Sequence, residues 1–263
     1  MSEAAVSTLR STPAVGSALA LYNKPSPDFA AKLTRSIRLL RALAAQHPRL
    51  VQGSSLGVED MVVTELIQQA GVPVSVFVLD TGKLHAETQA LVPVIEQRYG
   101  IAVQVFRPVQ EQVLQFVREH GEEAMYQSVA LRKTCCAVRK LEPLQRALSD
   151  ANGWVTGLRR EQSNARAEVP DFVEEDGRIK INPLADWTWG DVWHFVAEHQ
   201  VPYNPLHDAF FPSIGCAPCT RAISVGEDFR AGRWWWENSD TKECGLHVKA
   251  AHTPQVHPQE VHP

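Results

Sequence analysis

Five cysteines are the residues of this chain whose types and spacing could do the most specific chemistry. Four of them form two close pairs, Cys135-Cys136 and Cys216-Ala-Pro-Cys219, and the fifth, Cys244, stands alone near the carboxyl terminus. Four thiolates within reach of one point are soft ligands that suit a transition metal or an iron–sulfur cluster. We therefore predict one metal-ligand set, Cys135, Cys136, Cys216 and Cys219.

The spacing of these four cysteines discriminates between kinds of site. Cys216-Ala-Pro-Cys219 alone suits a dithiol redox pair, half of a zinc site or part of a cluster site. Structural zinc usually takes cysteines two to four residues apart, whereas the adjacent Cys135 and Cys136 must splay to reach one centre. The adjacent pair favours an iron–sulfur cluster, and a chance grouping of unrelated buried cysteines is the other interpretation.

Cys244 is a candidate nucleophile. It lies in the segment Glu-Cys-Gly-Leu-His, in which Gly245 gives the backbone freedom and His247 could help to form a thiolate. An exposed cysteine without a function would be open to oxidation. We predict that Cys244 is catalytic; an incidental cysteine is the alternative.

A loop of small residues is a candidate phosphate site. Ser54-Ser55-Leu56-Gly57 lies between a predicted strand and a predicted helix. Small side chains there let backbone N–H groups and a helix N-terminus approach an anion closely. We expect Ser54, Ser55 and Gly57 to bind substrate, and a strand-to-helix turn capped by serine is the bland alternative.

Basic side chains gather at two further places and could neutralise phosphate or sulfate. Gly157, Arg159 and Arg166 belong to one loop after a predicted strand, and Arg230 and Arg233 precede three tryptophans. Guanidinium groups match the oxygens of both anions. A solvated loop is the alternative for the first group, and single-stranded nucleic acid is an alternative ligand for the second.

Lys140 follows the adjacent cysteines on a predicted helix. A cluster held by four thiolates carries negative charge, which a nearby lysine would offset while also reaching an anionic substrate. A surface lysine explains the same position equally well.

The composition restricts the possible partners. The 263 residues carry a formal net charge of −4, with 44% hydrophobic and 21% charged residues, which is ordinary for a globular protein. This balance favours neither nucleic acid nor an anionic membrane as partner. The sequence shows no signal-peptide pattern and no apolar stretch long enough to cross a bilayer. We expect a cytoplasmic protein, where cysteine pairs favour metal binding or redox chemistry.

Hydrophobic periodicity predicts strands that alternate with helices. Apolar runs indicate strands, and three- and four-residue spacing indicates helices. The predicted strands are 50–52, 74–79, 102–106 and 154–156, and the predicted helices are 29–43, 61–69, 85–99, 109–119 and 136–148. This alternation is typical of an α/β fold with a parallel twisted sheet flanked by helices, whose ligands bind beyond the carboxyl ends of the strands.

Three segments are expected along the chain. Residues 1–26 are rich in Ser, Ala and Pro and predict a flexible arm, and 27–236 predict a nucleotide- and cluster-binding α/β domain. From Pro202 onward prolines, aromatic residues and cysteines become frequent, which predicts irregular structure. Residues 237–263 are expected to form a mobile tail that carries Cys244.

Taken together these motifs resemble the assimilatory sulfonucleotide reductases, specifically the iron–sulfur adenylyl-sulfate (APS) reductases. The resemblance covers roughly residues 30 to 250 and rests on segments 54–57, 79–88, 156–163, 182–188, 215–221, 230–237 and 242–247. It implies an adenine-nucleotide hydrolase-like (Rossmann-like) sheet with an irregular Cys-rich C-terminal segment. The Ser-Gly-Gly-x-Asp-Ser loop of the ATP-pyrophosphatase members is missing, which argues against an ATP-consuming thiolation enzyme.

The resemblance also implies an activity. It implies a [4Fe–4S] cluster on the four paired cysteines and reduction of APS to sulfite and AMP. Cys244 would carry an S-sulfocysteine intermediate that thioredoxin or glutaredoxin resolves, in assimilatory sulfate reduction for cysteine biosynthesis. The alternatives are a reductase of 3′-phosphoadenylyl sulfate (PAPS) or of both nucleotides and, more remotely, a zinc-stabilised nucleotide- or RNA-binding module. Family members are often dimers or tetramers, so a homo-oligomer is possible.

Overall fold

A six-stranded sheet organises the part of the chain that the computed structural model describes, residues 16–175 and 177–237. The strands are β1 (Leu50–Ser54), β2 (Ser75–Leu79), β3 (Val103–Phe106), β4 (Gly153–Val155), β5 (Phe172–Glu175) and β6 (Arg178–Ile181). Their order is β3-β2-β1-β4-β6-β5, and neighbouring strands are parallel except that the edge strand β5 runs antiparallel to β6. The predicted parallel α/β sheet is confirmed.

Helices flank the sheet throughout the described residues. They are α1 (Ala18–Tyr22), α2 (Phe29–Gln46), α3 (Val58–Ala70), α4 (Ala86–Gln89), α5 (Leu91–Tyr99), α6 (Gln110–His120), α7 (Val129–Cys136), α8 (Glu142–Ala147) and α9 (Trp189–His199). A π-helical turn, Ala137–Leu141, joins α7 to α8. After α9, the described chain up to residue 237 contains only short 3₁₀ turns, as the composition from Pro202 onward predicts.

Helix α3 anchors the sheet edge at which the candidate site lies. It is buried on nearly all sides, with Met61, Val62 and Leu66 fully buried, which is typical of a helix packed within a core. It ends at Gly71, whose φ of 65° lies in the left-handed region that glycine favours. This packing fixes the first turn of α3 directly beyond the carboxyl end of β1.

Two predicted helices have different bounds in the structure. The helix predicted over 85–99 is divided into α4 and α5, because Pro93 in the first turn of α5 has no N–H to continue the α4 hydrogen bonds. The helix predicted over 136–148 begins earlier, at Val129, where the Ser128 side chain caps the Leu131 N–H. The adjacent cysteines therefore lie at the end of a helix.

The sequence prediction lacks helix α1, the β5–β6 hairpin and helix α9. The β5–β6 hairpin extends the sheet beyond β4, and α9 packs against α1 and α3. Helix α9 begins with a reciprocal capping box in which Thr188 accepts from the Asp191 N–H and Asp191 accepts from the Thr188 N–H. That Thr-x-x-Asp pattern is a sequence signal that could have located the helix.

The described end of the predicted flexible arm is attached to the domain. Helix α1 is capped by Ser17, the Ala18 N–H donates to Asp208 Oδ1 at 2.8 Å, and the Ser26 N–H donates to Asp191 Oδ1 at 2.7 Å. Carboxylates of the domain thus bind Ala18 and Ser26 within the segment predicted as an arm, and the flexibility of residues 1–26 stays a prediction. None of the described helices is both long and apolar enough to cross a membrane.

Candidate active site

The carboxylate of Asp60 holds together the loops that follow β1 and β4. Its Oδ2 accepts hydrogen bonds from the Ser55 N–H at 2.7 Å and the Ser55 hydroxyl at 2.5 Å, and its Oδ1 accepts one from the Gly157 N–H at 2.9 Å. A Cβ at position 157 would lie 2.6 Å from Asp60 Oδ1, so this close approach requires glycine. Burial raises the pKa of Asp60 to about 6, although these donors favour the carboxylate.

A cavity of about 200 Å³ opens beside these two loops. Gly53, Phe77 and Trp154 contribute to an apolar wall, and a Cβ at position 53 would lie 3.0 Å from the Phe77 ring. Polar and basic side chains line other parts of the cavity. The lining residues include eight of the predicted substrate-binding residues: Ser54, Ser55, Gly57, Lys140, Gly157, Arg166, Arg230 and Arg233. An apolar wall facing hydrogen-bond donors and cations suits an aromatic, anionic ligand such as a nucleotide.

Arg159, the remaining predicted substrate residue, is buried and bound to carboxylates. Its Nη2 donates to Glu59 Oε1 at 2.9 Å, and its Nη1 donates to Glu161 Oε2 at 2.9 Å and to the Trp187 carbonyl at 3.3 Å. Burial alone would raise the pKa of Glu59, but the Arg159 charge and hydrogen bonds from Gln162 and Arg159 lower it. The structure therefore gives Arg159 a role in holding Glu59 and places it outside the cavity wall.

The four paired cysteines line a second, smaller cavity of about 20 Å³. All four are buried and none forms a disulfide. The Thr81 hydroxyl lies 3.2 Å from Cys216 Sγ, and Arg132, Arg139 and Lys140 line the same cavity. In residues 16–175 and 177–237 no three His, Cys, Asp or Glu side chains are already arranged as a metal site. The structure brings the four predicted ligands together around one small space.

Burial makes an uncompensated thiolate unfavourable in this thiol cavity. Burial and the neighbouring Cys216 raise the pKa of Cys219 to about 11, whereas Lys140 and Arg233 oppose the rise. Burial and Cys216 likewise raise the pKa of Cys135, and Arg139 opposes this. Several thiolates can coexist in such a space only when a metal compensates their charge. Four sulfur donors surrounded by basic side chains fit an iron–sulfur cluster.

The π-helical turn after the adjacent cysteines connects the two cavities. Its Lys140 lines both of them, as does Trp234. Its Arg139 donates from Nη1 to the Thr81 carbonyl at 2.9 Å, which ties the turn to the loop that follows β2. Single π turns within helices are frequent at functional sites because they redirect side chains. Here the turn directs Lys140 between the thiols and the larger cavity.

Sequence reasoning missed several residues that shape this site. Asp60 and Glu59 occupy the first turn of α3, and Gln162 connects Glu59 to Arg166. His207 lines the larger cavity and accepts the Val58 N–H at 3.2 Å through Nε2, and burial lowers its pKa to about 4. Carboxylates directly after the Ser-x-Gly loop were a usable signal for the first two. The predicted nucleophile, Cys244, lies outside the described residues.

The amino-acid sequence of the chain is similar to those of known proteins. Residues 49–222 match the phosphoadenosine phosphosulfate reductase domain family. The chain is 52% identical to the adenosine 5′-phosphosulfate reductase of Burkholderia cepacia over 225 residues, covering 85% of this chain and 90% of that protein. It is 51% identical over 227 residues to the protein of the same name from Allochromatium vinosum, covering 85% and 89%.

Structural comparison agrees with this placement. The crystal structure of phosphoadenylyl-sulfate reductase from Candida auris, a phosphate complex, superposes with a TM-score of 0.59 at 26% identity, covering 74% of this chain and 97% of that one. Candida glabrata FMN adenylyltransferase, with a TM-score of 0.51 at 13% identity over 86% of this chain and 83% of that one, shares only the fold. The fold and cavity thus define an α/β protein of the adenine-nucleotide hydrolase-like kind. The chain belongs to the phosphoadenosine phosphosulfate reductase domain family.

Proposed function

We propose that this protein is a thioredoxin-dependent adenylyl-sulfate reductase that converts APS to sulfite and AMP. The observation that carries the proposal is the contact between a nucleotide-sized cavity and a four-thiol cavity through the shared Lys140 and Trp234. The relatives named adenosine 5′-phosphosulfate reductase, which align with most of the chain, support APS as the substrate.

The larger cavity would hold the nucleotide. Its apolar wall of Phe77 and Trp154 suits an adenine ring, and the donors of the Ser54–Ser55 loop suit a phosphate. Lys140, Arg166, Arg230 and Arg233 would neutralise the phosphosulfate, which makes its sulfur accessible to an anionic nucleophile.

The proposed cofactor is a [4Fe–4S] cluster held by Cys135, Cys136, Cys216 and Cys219. When bound, the cluster would supply a charged centre beside the substrate, and the two electrons of the reaction would come from the dithiol donor. Lys140 would orient the phosphosulfate from the side of the thiol cavity, and the buried Trp234 would exclude water between the two cavities.

The Cys244 thiolate would attack the sulfate sulfur while the bond from that sulfur to the phosphate oxygen breaks. AMP leaves with the bonding electrons, and the enzyme carries an S-sulfocysteine. A thioredoxin or glutaredoxin thiolate then attacks Cys244 Sγ and releases sulfite; its second thiol resolves the mixed disulfide and restores Cys244. Cys244 follows the last described residue, Glu237, by seven positions, a span of at most about 25 Å.

PAPS is the second candidate substrate. The matched family and the Candida auris neighbour are named for the phosphoadenosine nucleotide, which supports this alternative. Release of sulfite from APS and from PAPS by anaerobically purified protein, with reduced thioredoxin, discriminates between them. We expect turnover with APS to exceed turnover with PAPS. Equal rates would indicate a dual reductase, and no sulfite from either would refute the proposed function.

We propose that the protein acts in the cytoplasm in assimilatory sulfate reduction and that residues 237–263 form a tail that presents Cys244. A homo-oligomer is compatible with the proposed reaction. Measuring iron, acid-labile sulfide and zinc in the purified protein separates the cluster from the zinc-stabilised binding module.

Binding of APS should depend on the ionisation of Asp60. Because its pKa is raised to about 6, Asp60 takes up a proton as the pH falls through 6, and one of its three donors then loses an acceptor. Loss of one hydrogen bond corresponds to about a fivefold weaker binding. We expect calorimetric titration of Cys244→Ser with APS to show this weakening between pH 7 and pH 5.

The control for this prediction is Asp60→Asn in the same Cys244→Ser background. An amide at this position cannot titrate and presents a donor to one of the N–H groups, so APS should bind weakly at every pH. A parent protein, with Asp60 intact, whose APS affinity stays constant from pH 7 to pH 5 would contradict the prediction.

A further inference from the structure

Gln162 lines the larger cavity, and both the nitrogen and the oxygen of its side-chain amide form hydrogen bonds. Its Nε2 donates to Glu59 Oε1 at 3.0 Å and to the Gly157 carbonyl at 3.2 Å. Its Oε1 accepts from the Arg159 N–H at 3.1 Å and from Arg166 Nη1 at 2.6 Å. Two acceptors face the nitrogen and two donors face the oxygen, so only one orientation of the amide satisfies all four contacts.

Gln162 contacts a buried ion pair between Glu59 and Arg159. Glu59 is held by Arg159 through Nη2 at 2.9 Å and Nε at 3.3 Å, and the Arg159 guanidinium lies 5.3 Å from the centre of the Trp189 ring. Arg159 is 1% exposed, and the loop that carries it is fixed to α3 through Asp60. Gln162 therefore links the buried Glu59–Arg159 ion pair to the guanidinium of Arg166 by hydrogen bonds.

We propose that Gln162 is the positioning residue that aims the Arg166 guanidinium at the anionic group of the bound nucleotide. The inference rests on the proposed function, because it takes the phosphosulfate as the anion that Arg166 meets. Arg166 lines the cavity, and its Nη1 donates to the neutral Oε1 of Gln162, a contact that orients the guanidinium without adding a negative charge beside it. Pre-orientation of this kind lowers the entropic cost of binding.

The neutrality of Gln162 is part of the proposal. A carboxylate at this position would face the Glu59 carboxylate and the Gly157 carbonyl, both of which require a donor. It would also pair with Arg166 and compete with the substrate for its charge. An apolar side chain of similar size would instead remove the hydrogen bond to Arg166 without adding charge. Gln162→Glu and Gln162→Leu should therefore impair APS binding for different reasons.

The test is a double-mutant cycle on APS affinity in the Cys244→Ser background, measured by calorimetry at pH 8. We expect Gln162→Leu to weaken binding by about tenfold, the effect of one charge-assisted hydrogen bond. Added to Arg166→Ala, the same substitution should cause no further loss, because Gln162 acts through Arg166. Gln115→Leu, an exposed glutamine on α6, is the matched control and should leave the affinity unchanged.

The pH dependence of APS binding by Gln162→Glu is a second test, which applies even if Gln162→Leu disturbs the loop. Protonation of the new carboxylate in Gln162→Glu restores a donor towards Glu59 and an acceptor towards Arg166, so its deficit relative to the Cys244→Ser parent should shrink as the pH falls from 8 to 6. The charged and titratable groups around this position are Glu59, Asp60, Arg159, Glu161, Arg166 and His207. All of them are present in the parent, so the comparison isolates position 162.

Four results would contradict these proposals. Equal losses from Gln162→Leu with Arg166 intact and with Arg166→Ala already in place would overturn the positioning role, as would an unchanged affinity when Arg166 is intact. A deficit of Gln162→Glu that does not depend on pH would also count against it. A parent protein that binds no APS would overturn the proposed function, and this inference with it.

Discussion

Replacing Cys219 by alanine is expected to remove iron and acid-labile sulfide from the protein and to abolish sulfite production. Cys219 shares a cavity of about 20 Å³ with the three other thiols, and burial and Cys216 raise its pKa to about 11. A thiol in such surroundings stays protonated unless a metal takes the place of the proton. Loss of one of four ligands from a cluster site is therefore expected to destroy the site.

The matched control is Cys244→Ala, the same substitution outside the described residues. It should abolish sulfite production while the protein keeps its iron, its sulfide and its visible absorption. Metal analysis of the two variants, purified side by side without oxygen, separates a ligand from a nucleophile. Full iron content in Cys219→Ala, or zinc in place of iron in the wild-type protein, would contradict the cluster assignment.

Replacing Glu237 by glutamine should lower the melting temperature by about 10 °C, because breaking one side of a buried ion pair costs about 3–5 kcal/mol in a domain of this size. The Arg132 and Glu237 side chains are 1% and 2% exposed. They form two parallel hydrogen bonds of 2.9 and 2.7 Å, and the Arg132 guanidinium lies 4.6 Å from the centre of the Trp234 ring. The variant would remove the Glu237 charge that pairs with this buried guanidinium.

Arg132 of the buried pair lies close in sequence to two of the proposed cluster ligands. Arg132 belongs to α7, the helix that ends in Cys135 and Cys136, and Glu237 follows the three tryptophans. We therefore expect Glu237→Gln to release iron faster than the wild-type protein on warming. Glu142→Gln is the control, because the exposed Arg146–Glu142 pair should contribute less than about 1 kcal/mol. Equal melting temperatures for the two variants would refute the assigned role of the buried pair.

The core elements of the fold could be predicted from local sequence patterns. Buried parallel strands such as β2 are continuous apolar runs, and α3 follows a small-residue loop, so periodicity and turn chemistry agree there. The β5–β6 hairpin was not predictable in this way, because β5 alternates exposed and half-buried residues and pairs with β6 mainly through the backbone. Helix α1 was missed because its stability comes from a distant carboxylate, Asp208.

Some features of the candidate site could likewise be predicted from the sequence, and others could not. The convergence of the four cysteines followed from ligand chemistry, since soft donors in two close pairs have few other uses. The role of Arg159 did not follow, because an arginine that holds a buried glutamate and one that meets an anion look alike in a sequence. Gln162 was likewise hidden, because its importance comes from a contact with Glu59 across loops that only the sheet brings together.

The intact mass of anaerobically purified protein after incubation with APS, without any thiol reductant, tests the central claim most directly. The account predicts an adduct of one SO₃ group on the wild-type protein and none on Cys244→Ser. PAPS should give the adduct more slowly. An unmodified wild-type protein that still holds its iron, or an adduct that persists in Cys244→Ser, would contradict the proposed chemistry.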